Sequence, residues 1–373
     1  MAKILILGAS SDNIPLIKKC KSLGDYVIVA DYNSESPGFE IANKKYLVSI
    51  IDDEGLLDIA KKENLDGILT ISDLPTKTLS YLCNELKLIG PNIKPSTFSK
   101  NKFSLRKALN ENYFNTPNFY LINKKLDLEK VDTFPVVMKP VDSVASRGVK
   151  KINSKEELLK NYEYSNNFSA SNQVIVESFI EGKEFSVEAL TQNKKTDIIA
   201  ITEKTIAKSN SNSFVEEKHV LPADISEKYK DKIEKTVISI LDKLGFDNTA
   251  THTELKLTNE GEIYIIEIAS RLGGDFIASD LIPLATGINM FENIRNIAIG
   301  KPINTKRTKE EFTEVQYFTS LNYSETLNKE EQAKNKGILV KSEKKDFKDI
   351  AINNSFDRLG YFICSSKNIN DLI

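Results

Sequence analysis

Short apolar runs alternate with amphipathic stretches over the first quarter of the chain. Lys3-Ile-Leu-Ile-Leu-Gly8 is a buried-strand pattern closed by glycine, and a helical stretch from about Ile14 to Leu23 follows it. Tyr26-Val-Ile-Val-Ala-Asp31 predicts a second strand ending in an acid, Gly67-Ile-Leu-Thr-Ile-Ser72 another, and Leu88-Ile-Gly90 a short one before Pro91. Strands that alternate with helices imply a parallel sheet with crossover helices, which places one α/β unit at about residues 1–95. From about 96 to 130 the pattern is a helical connector that includes Ser99–Leu109. Phe134-Pro-Val-Val-Met-Lys139-Pro140 then reads as a strand stopped by proline, and Gln173–Glu177 as a second, with a helix around Lys155–Tyr164 between them. Between 183 and 270 the β-rich runs have antiparallel character, interrupted by a helix from about Ile225 to Leu244. The tail beyond about 305 is charged, with strand candidates at Thr313–Thr319, Gly337–Lys341 and Arg358–Cys364.

Composition narrows the class. At 373 residues the chain suits two or three packed units. Lys and Arg number 51 against 53 Asp and Glu, so no overall field draws it to nucleic acid or an anionic membrane. Cys20, Cys83 and Cys364 lie far apart without CxxC spacing, which fits a reducing cytoplasm and argues against a disulfide framework or a structural zinc. No apolar stretch approaches a membrane span, and the N-terminus runs into a strand without a cleavable signal pattern. A cytoplasmic enzyme is the expectation.

The strongest local signal is Thr251-His-Thr-Glu254 through Glu267-Ile-Ala-Ser-Arg271-Leu-Gly-Gly274. Two strand patterns flank the turn Asn259-Glu260-Gly261, which predicts a hairpin. Pairing centred on that turn sets Glu254 opposite Glu267, on one face with Cβ atoms roughly 5 Å apart. Carboxylates that close repel unless a cation lies between them, and magnesium in phosphate chemistry is held by one or two carboxylates plus the phosphates. A one-residue slip would turn the acids to opposite faces. Arg271 follows the second strand, and its planar fork suits carboxylate or phosphate oxygens, while Gly273 and Gly274 let backbone approach a ligand.

Two further segments add weaker signals. Lys139 ends a strand before a loop that contains Ser143, Ser146, Arg147 and Gly148; such a loop can fold over phosphates with Lys139 as a point charge. It is neither a GxxxxGK[ST] loop nor GxGxxG. Val174-Ile-Val-Glu177 leads through Phe179, Ile180 and Gly182 to Glu184, a linker that can offer backbone groups to an adenine edge, with Glu177 near the amine and Glu184 near the ribose.

Taken together, these segments resemble the ATP-grasp superfamily over about residues 95–300. The resemblance implies a Rossmann-like N-terminal domain at 1–95 and an ATP-grasp fold of two α+β lobes at 96–305, the small lobe at about 125–183. A C-terminal α+β extension at 306–373 would complete the large lobe. By position, Lys102 and Lys139 would contact ATP phosphates, and Ser143, Ser146, Arg147 and Gly148 would form the flap. Glu177, Phe179 and Ile180 would line the adenine site, Glu184 would bind ribose, and Glu254 and Glu267 would bind Mg2+, with Mn2+ as a substitute. Arg271 would sit at the acyl-phosphate centre, with Gly273 and Gly274 on the substrate side. Many members carry Glu-x-Asn after the second metal strand; here the sequence is Glu267-Ile268-Ala269. Glu267 to Gly274 is more similar to the branch of L-amino acid (dipeptide) ligases and carbamoyl-phosphate-synthetase-like proteins, as is Phe214-Val-Glu216-Glu-Lys-His219-Val-Leu-Pro222. In that branch Glu216 would face an ammonium group, and His219 a carboxylate or the incoming amine.

The implied reaction is ATP-dependent joining of an amino acid or other small carboxylate to an amine, forming an amide or peptide bond through an acyl phosphate and releasing ADP and phosphate. The partners would be a small-molecule carboxylate and amine, with no nucleic acid and no membrane, and a homodimer is the candidate assembly. A purine-pathway ligase or a bicarbonate-using carboxylase is the nearer alternative. A nucleotide-binding non-enzyme is a third. A dehydrogenase is a fourth, since Gly8 and Asp31 end successive strands, but it gives no reason for the Glu254/Glu267 pair.

Overall fold

The computed structural model of the protein describes residues 1–207 and 214–372. Its first sheet is parallel, with strands β1 (Lys3–Leu7), β2 (Tyr26–Asp31), β3 (Lys44–Leu47) and β4 (Gly67–Leu69) in the order β3-β2-β1-β4. Ile4, Leu5, Ile6 and Leu7 of the inner strand are wholly buried, because helices cover both faces of such a sheet and leave no polar side. β3 reads Lys-Lys-Tyr-Leu and sits at the sheet edge, where half-exposed polar residues are tolerated. Leu88–Gly90 is not a strand. That run leaves the helix Thr76–Leu86 through Lys87 in a left-handed conformation, and it finds no neighbouring strand to pair with.

The chain then forms two short helices, Ile93–Lys100 and Lys102–Glu111, broken at Asn101, whose side chain caps the second by accepting the Ser104 N–H at 2.9 Å. A four-stranded antiparallel sheet follows: β5 (Phe119–Ile122), β6 (Val136–Pro140), β7 (Lys150–Ile152) and β8 (Val174–Ser178), ordered β5-β8-β6-β7. The helix Lys155–Asn166 buries Leu158 and Tyr162 against Val136, Met138, Val174 and Val176.

The third sheet is antiparallel, with eight strands. They are β9 (Lys183–Gln192), β10 (Lys195–Ile206), β11 (Glu216–Leu221), β12 (Thr249–Leu257), β13 (Ile263–Ala269), β14 (Phe312–Phe318), β15 (Leu339–Lys344) and β16 (Gly360–Ser366). Their order is β13-β12-β9-β10-β11-β14-β16-β15, so the C-terminal strands extend the sheet begun at residue 183. Period-2 alternation divides it into two faces. Phe185, Val187, Ala189 and Leu255 pack with Ile233, Val237 and Leu241 of the helix Glu227–Leu244. Glu184, Glu188 and Glu254 stand on the other face, toward the small sheet.

The N-terminal unit is tied to this body by a buried ion pair, Arg295 Nε to Asp25 Oδ2 at 2.8 Å, and by packing of the helix Ile14–Ser22 on Met290–Ala298. Among the described residues no helix is long and apolar enough to cross a membrane.

Candidate active site

The polar face of the large sheet, the small sheet and the loops between them enclose a cavity of about 400 Å³. Strand pairing fixes much of its floor. His252 lies opposite Glu188, Glu254 opposite Ser186 and Lys256 opposite Glu184, while Lys204 pairs with Glu184 on one side and His219 on the other. Directly opposed residues share a face, and of this set Glu184, Lys204, His219, His252, Glu254 and Lys256 line the cleft while Ser186 and Glu188 are buried behind them.

Glu254 also pairs with Glu267, although not by simple counting from the turn. The inner hairpin sets Leu257 against Ile263 and Leu255 against Ile265. Continued outward, that register would oppose Glu254 with Ile266 and send Glu267 to the far face. A β-bulge at Ile266 absorbs the extra residue and restores the pairing. The bulged carbonyl accepts a hydrogen bond from Arg106 Nη2 at 2.7 Å. Arg106 is wholly buried, and its Nε lies 2.7 Å from Glu177 Oε1; Lys139 Nζ reaches Glu177 Oε2 at 2.6 Å. Burial pushes the Glu177 carboxyl up, but Arg106 and Lys139 more than offset it and hold it below its ordinary value. Burial draws the Lys139 ammonium down, only partly opposed by Glu177.

The two facing acids are already partnered by cations. Lys204 Nζ lies 2.6 Å from Glu254 Oε1 and 3.1 Å from Glu216 Oε1. Lys102 Nζ stands 3.4 Å from Glu267 Oε2 and donates to the Ser143 carbonyl at 2.7 Å. Among the described residues no group of three or more His, Cys, Asp or Glu could hold a metal alone. Two opposed carboxylates with lysines at phosphate distance suit a magnesium ion that takes its remaining ligands from phosphate oxygens and water, so the donor set fits that ion. Behind Glu254, His252 Nδ1 meets Glu188 Oε1 at 2.5 Å and its Nε2 lies 3.4 Å from Glu254. Burial lowers this imidazole, but Glu188 outweighs burial and pushes it up to about 9. The other Glu188 oxygen accepts the Gly273 N–H at 3.0 Å; a Cβ at Gly273 would come within 2.7 Å of that carboxylate. Gly274 also lines the cleft.

Arg271 is gripped from the N-terminal unit. Its Nε and Nη2 donate to the two oxygens of Asp73 at 2.8 and 2.7 Å, and Nη1 donates to the Leu272 carbonyl. Burial disfavours the guanidinium charge, and Asp73 outweighs that and keeps it firmly cationic.

On the small-sheet side, Ser143, Ser146, Glu177, Phe179, Ile180 and Glu184 all line the cavity. The Ser143 hydroxyl is buried without a hydrogen-bond partner, and Ser146 Oγ donates to the Phe214 carbonyl at 2.9 Å. Ala145, Ser146 and Gly148 all have positive φ, a sharp turn that folds the loop over the cavity mouth. Gly148 is itself buried behind the loop, where a Cβ would meet Pro140 at 2.8 Å, and Arg147 is exposed; neither lines the cavity. The Phe179 ring carries Lys151 Nζ 3.9 Å from its centroid and Lys256 at 5.3 Å. Burial raises the Glu184 carboxyl above its ordinary value, though Lys204 opposes it.

The far end is walled by Glu216, His219, Asp275 and Arg358, with Ser355 and Phe356 at its rim. Arg358 Nη2 lies 2.8 Å from Glu216 and Nη1 3.0 Å from Asp275, and its guanidinium stacks 3.7 Å above the Tyr317 ring. Burial pushes the Asp275 carboxyl up, but Arg358 outweighs it and holds it well below the usual range. Sequence reasoning gave no role to Asp73, Arg106, Glu188, Lys204, His252, Asp275 or Arg358. Strand parity could have found Glu188 and Lys204, and His252 by its place two residues before Glu254. Asp73, Arg106 and Arg358 meet the site from 71 to 198 residues away in sequence and carry no local signal.

Comparison with known proteins bears on the same stretch. Residues 132–280 match the ATP-grasp domain. Over 297 residues the chain is 26% identical to a formate-dependent phosphoribosylglycinamide formyltransferase of Methanocella arvoryzae, covering 72% of this chain and 66% of that protein. Over 247 residues it is 26% identical to an alanine–anticapsin ligase of Bacillus subtilis, covering 59% and 51%. The chain thus spans less than two thirds of these curated relatives. In fold, it superposes on the crystal structure of an L-amino acid ligase from Bacillus licheniformis with a TM-score of 0.79 at 20% identity, over 100% of this chain and 95% of that one.

Proposed function

We propose that this chain, which carries an ATP-grasp domain and adopts the ATP-grasp fold, is an ATP-dependent carboxylate–amine ligase that works through an acyl phosphate. The observation that carries the proposal is the convergence, in one cleft, of the opposed pair Glu254 and Glu267 with Lys102, Lys139 and Arg271. Facing acids flanked by lysines are the donor set that a magnesium ion and the phosphates of ATP use.

ATP enters between the two lobes. Its base lies against Phe179 and Ile180, with Glu177 and Glu184 on the adenine and ribose side, and its phosphates lie along Lys139 and Lys102 under the loop at 143–149. Glu254 and Glu267 would hold magnesium, which when bound offsets phosphate charge. A substrate carboxylate oxygen attacks the γ-phosphorus; the bond to ADP breaks and an acyl phosphate forms. Arg271, locked by Asp73, presents a fixed positive fork at the transferring group, so its charge costs no reorganisation during the step. An amine nitrogen then attacks the acyl carbon and expels phosphate. Water competes at that point, and Ser146 tethered to Phe214 keeps the loop drawn over the mouth. Glu216, His219 and Gly274 lie at the acid and amine end of the cleft. No side-chain nucleophile is needed. The three cysteines are all free, which suits a reducing cytoplasm.

The test is release of ADP and phosphate from magnesium-ATP with the twenty amino acids offered singly and in pairs. Formate belongs in the same screen, given the similarity to a formyltransferase. Release that needs both an acid and an amine, and that vanishes in Glu267→Ala, supports the ligase. AMP as product, or ATP binding without turnover on any acid, overturns it.

A further inference from the structure

Glu254 stands between two unlike neighbours on the polar face of the large sheet. Across the hairpin lies Glu267, and on the other side, beyond β9, lies Lys204 of β10. Ser186, the β9 partner of Glu254, is small and wholly buried, which leaves the lysine stem room to cross that strand. Lys204 Nζ reaches Glu254 Oε1 at 2.6 Å, Glu216 Oε1 at 3.1 Å and Glu184 Oε1 at 3.7 Å, and its side chain is 3% exposed. One ammonium thus sits among carboxylates from three strands.

Converging carboxylate oxygens of this kind are the donor arrangement of a hard divalent cation. Without a cation at the centre the three acids would repel one another and be driven toward protonation. The other positive groups are peripheral: Lys256 Nζ is 3.8 Å from Glu184 Oε2, and Arg358 Nη2 holds Glu216 Oε2 at 2.8 Å. Burial draws the Lys204 ammonium down, but Glu254, Glu216 and Glu184 outweigh it and hold it well above its ordinary value. The central charge is therefore permanent, and it cannot leave with a nucleotide.

Few oxygens remain for metal at the phosphate end. Glu254 Oε1 also faces His252 Nε2 at 3.4 Å, and Glu267 Oε2 faces Lys102 Nζ at 3.4 Å. That leaves one oxygen of each acid without a protein partner among the described residues. Ala269, paired with His252 and two residues past Glu267, brings no side-chain donor. Glu188 is wholly buried, with one oxygen on His252 and the other on the Gly273 N–H. Two carboxylate oxygens, completed by phosphate oxygens and water, suit one octahedral magnesium ion rather than a pair.

We propose that Lys204 takes the place of a second divalent cation in this cleft, so that the protein holds its nucleotide with a single magnesium ion at Glu254 and Glu267. This rests on the ligase reading above. The fixed ammonium lines the cleft and supplies, without a metal-binding step, positive charge that a second ion would otherwise bring.

Native mass spectrometry of the protein with ADP and Mn2+ counts the ions without any turnover. The wild-type complex should carry one Mn2+ per bound ADP, and Lys204→Arg should do the same. Lys204→Ala opens the three-acid site and should carry two. Two Mn2+ per ADP in the wild type, or one in a Lys204→Ala protein that still binds ADP, overturns the proposal. If Lys204→Ala does not fold, the wild-type count decides alone. If ADP is not bound at all, the ligase reading fails by itself, and titration with Mn2+ alone, followed by electron paramagnetic resonance, then decides. A site in Lys204→Ala that the wild type lacks supports the replacement of metal by lysine, and equal binding in the two proteins overturns it.

Discussion

The two ends of the cleft are built in different ways. At the nucleotide end, the charged groups sit on regular strands or on a helix packed against them, and they pair under nearly complete burial: Arg106, Glu177 and Lys139 are 0%, 2% and 5% exposed. At the acid end, Asp73, Asp275 and Arg358 come from loops of three separate regions and line the same cavity, Asp73 gripping Arg271 and Arg358 holding Asp275. The first arrangement makes the site part of the core, so the frame and the site share one stability. The second leaves room to exchange one loop residue, and with it one substrate, without rebuilding the frame.

Mutations should separate the two. The largest effect is expected for Arg106→Met, which leaves Glu177 with one buried partner and frees the Ile266 carbonyl. Removing one member of a buried ion pair costs about 3–5 kcal/mol, so denaturant unfolding should show that loss together with weakened ATP binding. A variant that binds ATP less well at unchanged stability would break the equation of frame with site. Glu267→Ala comes next. It should reduce turnover by about 10³-fold, the scale of losing one charge-stabilising group at a transferring phosphoryl, with little change in the unfolding midpoint, since Glu267 is part-exposed. Asp73→Asn should lower kcat by roughly 10² by loosening the fork of Arg271, while ATP affinity holds; a loss confined to ATP affinity would place Arg271 at the nucleotide end instead. The smallest effect is expected from Ser146→Ala, which removes the tether to Phe214. About 1 kcal/mol of hydrogen bond is at stake, to be read as a several-fold rise in the share of ATP hydrolysed without amide formation.

Much of the frame was legible along the chain because its strands announce themselves locally. Ile-Leu-Ile-Leu before Gly8, Val-Val-Met before Lys139 and Val-Ile-Val before Glu177 each place a charged or permissive residue at a strand end. Polar edge elements were less so. Lys44–Leu47 joins the rim of the parallel sheet with Lys44 and Tyr46 both bound to Glu63, a contact no local pattern shows, and Leu88–Gly90 has an apolar content that no neighbouring strand uses. The acid pair shows where local reading stops. The turn Asn259-Glu260-Gly261 announces the hairpin, yet its inner register alone would have parted Glu254 from Glu267. The bulge that joins them is held by Arg106, 160 residues upstream.

By itself, then, the chain's pattern determined the elements, the hairpin and the kinds of charged side chain near it, because periodicity and turn chemistry act over a few residues. Which charge faces which was decided only in three dimensions. The pleat turned Lys204 toward Glu254, the bulge turned Glu267 beside it, and folding carried Asp73 to Arg271 and Arg358 to Asp275. Buried charges must find partners wherever the chain brings them, and that requirement is met by contacts between segments that the sequence order keeps far apart.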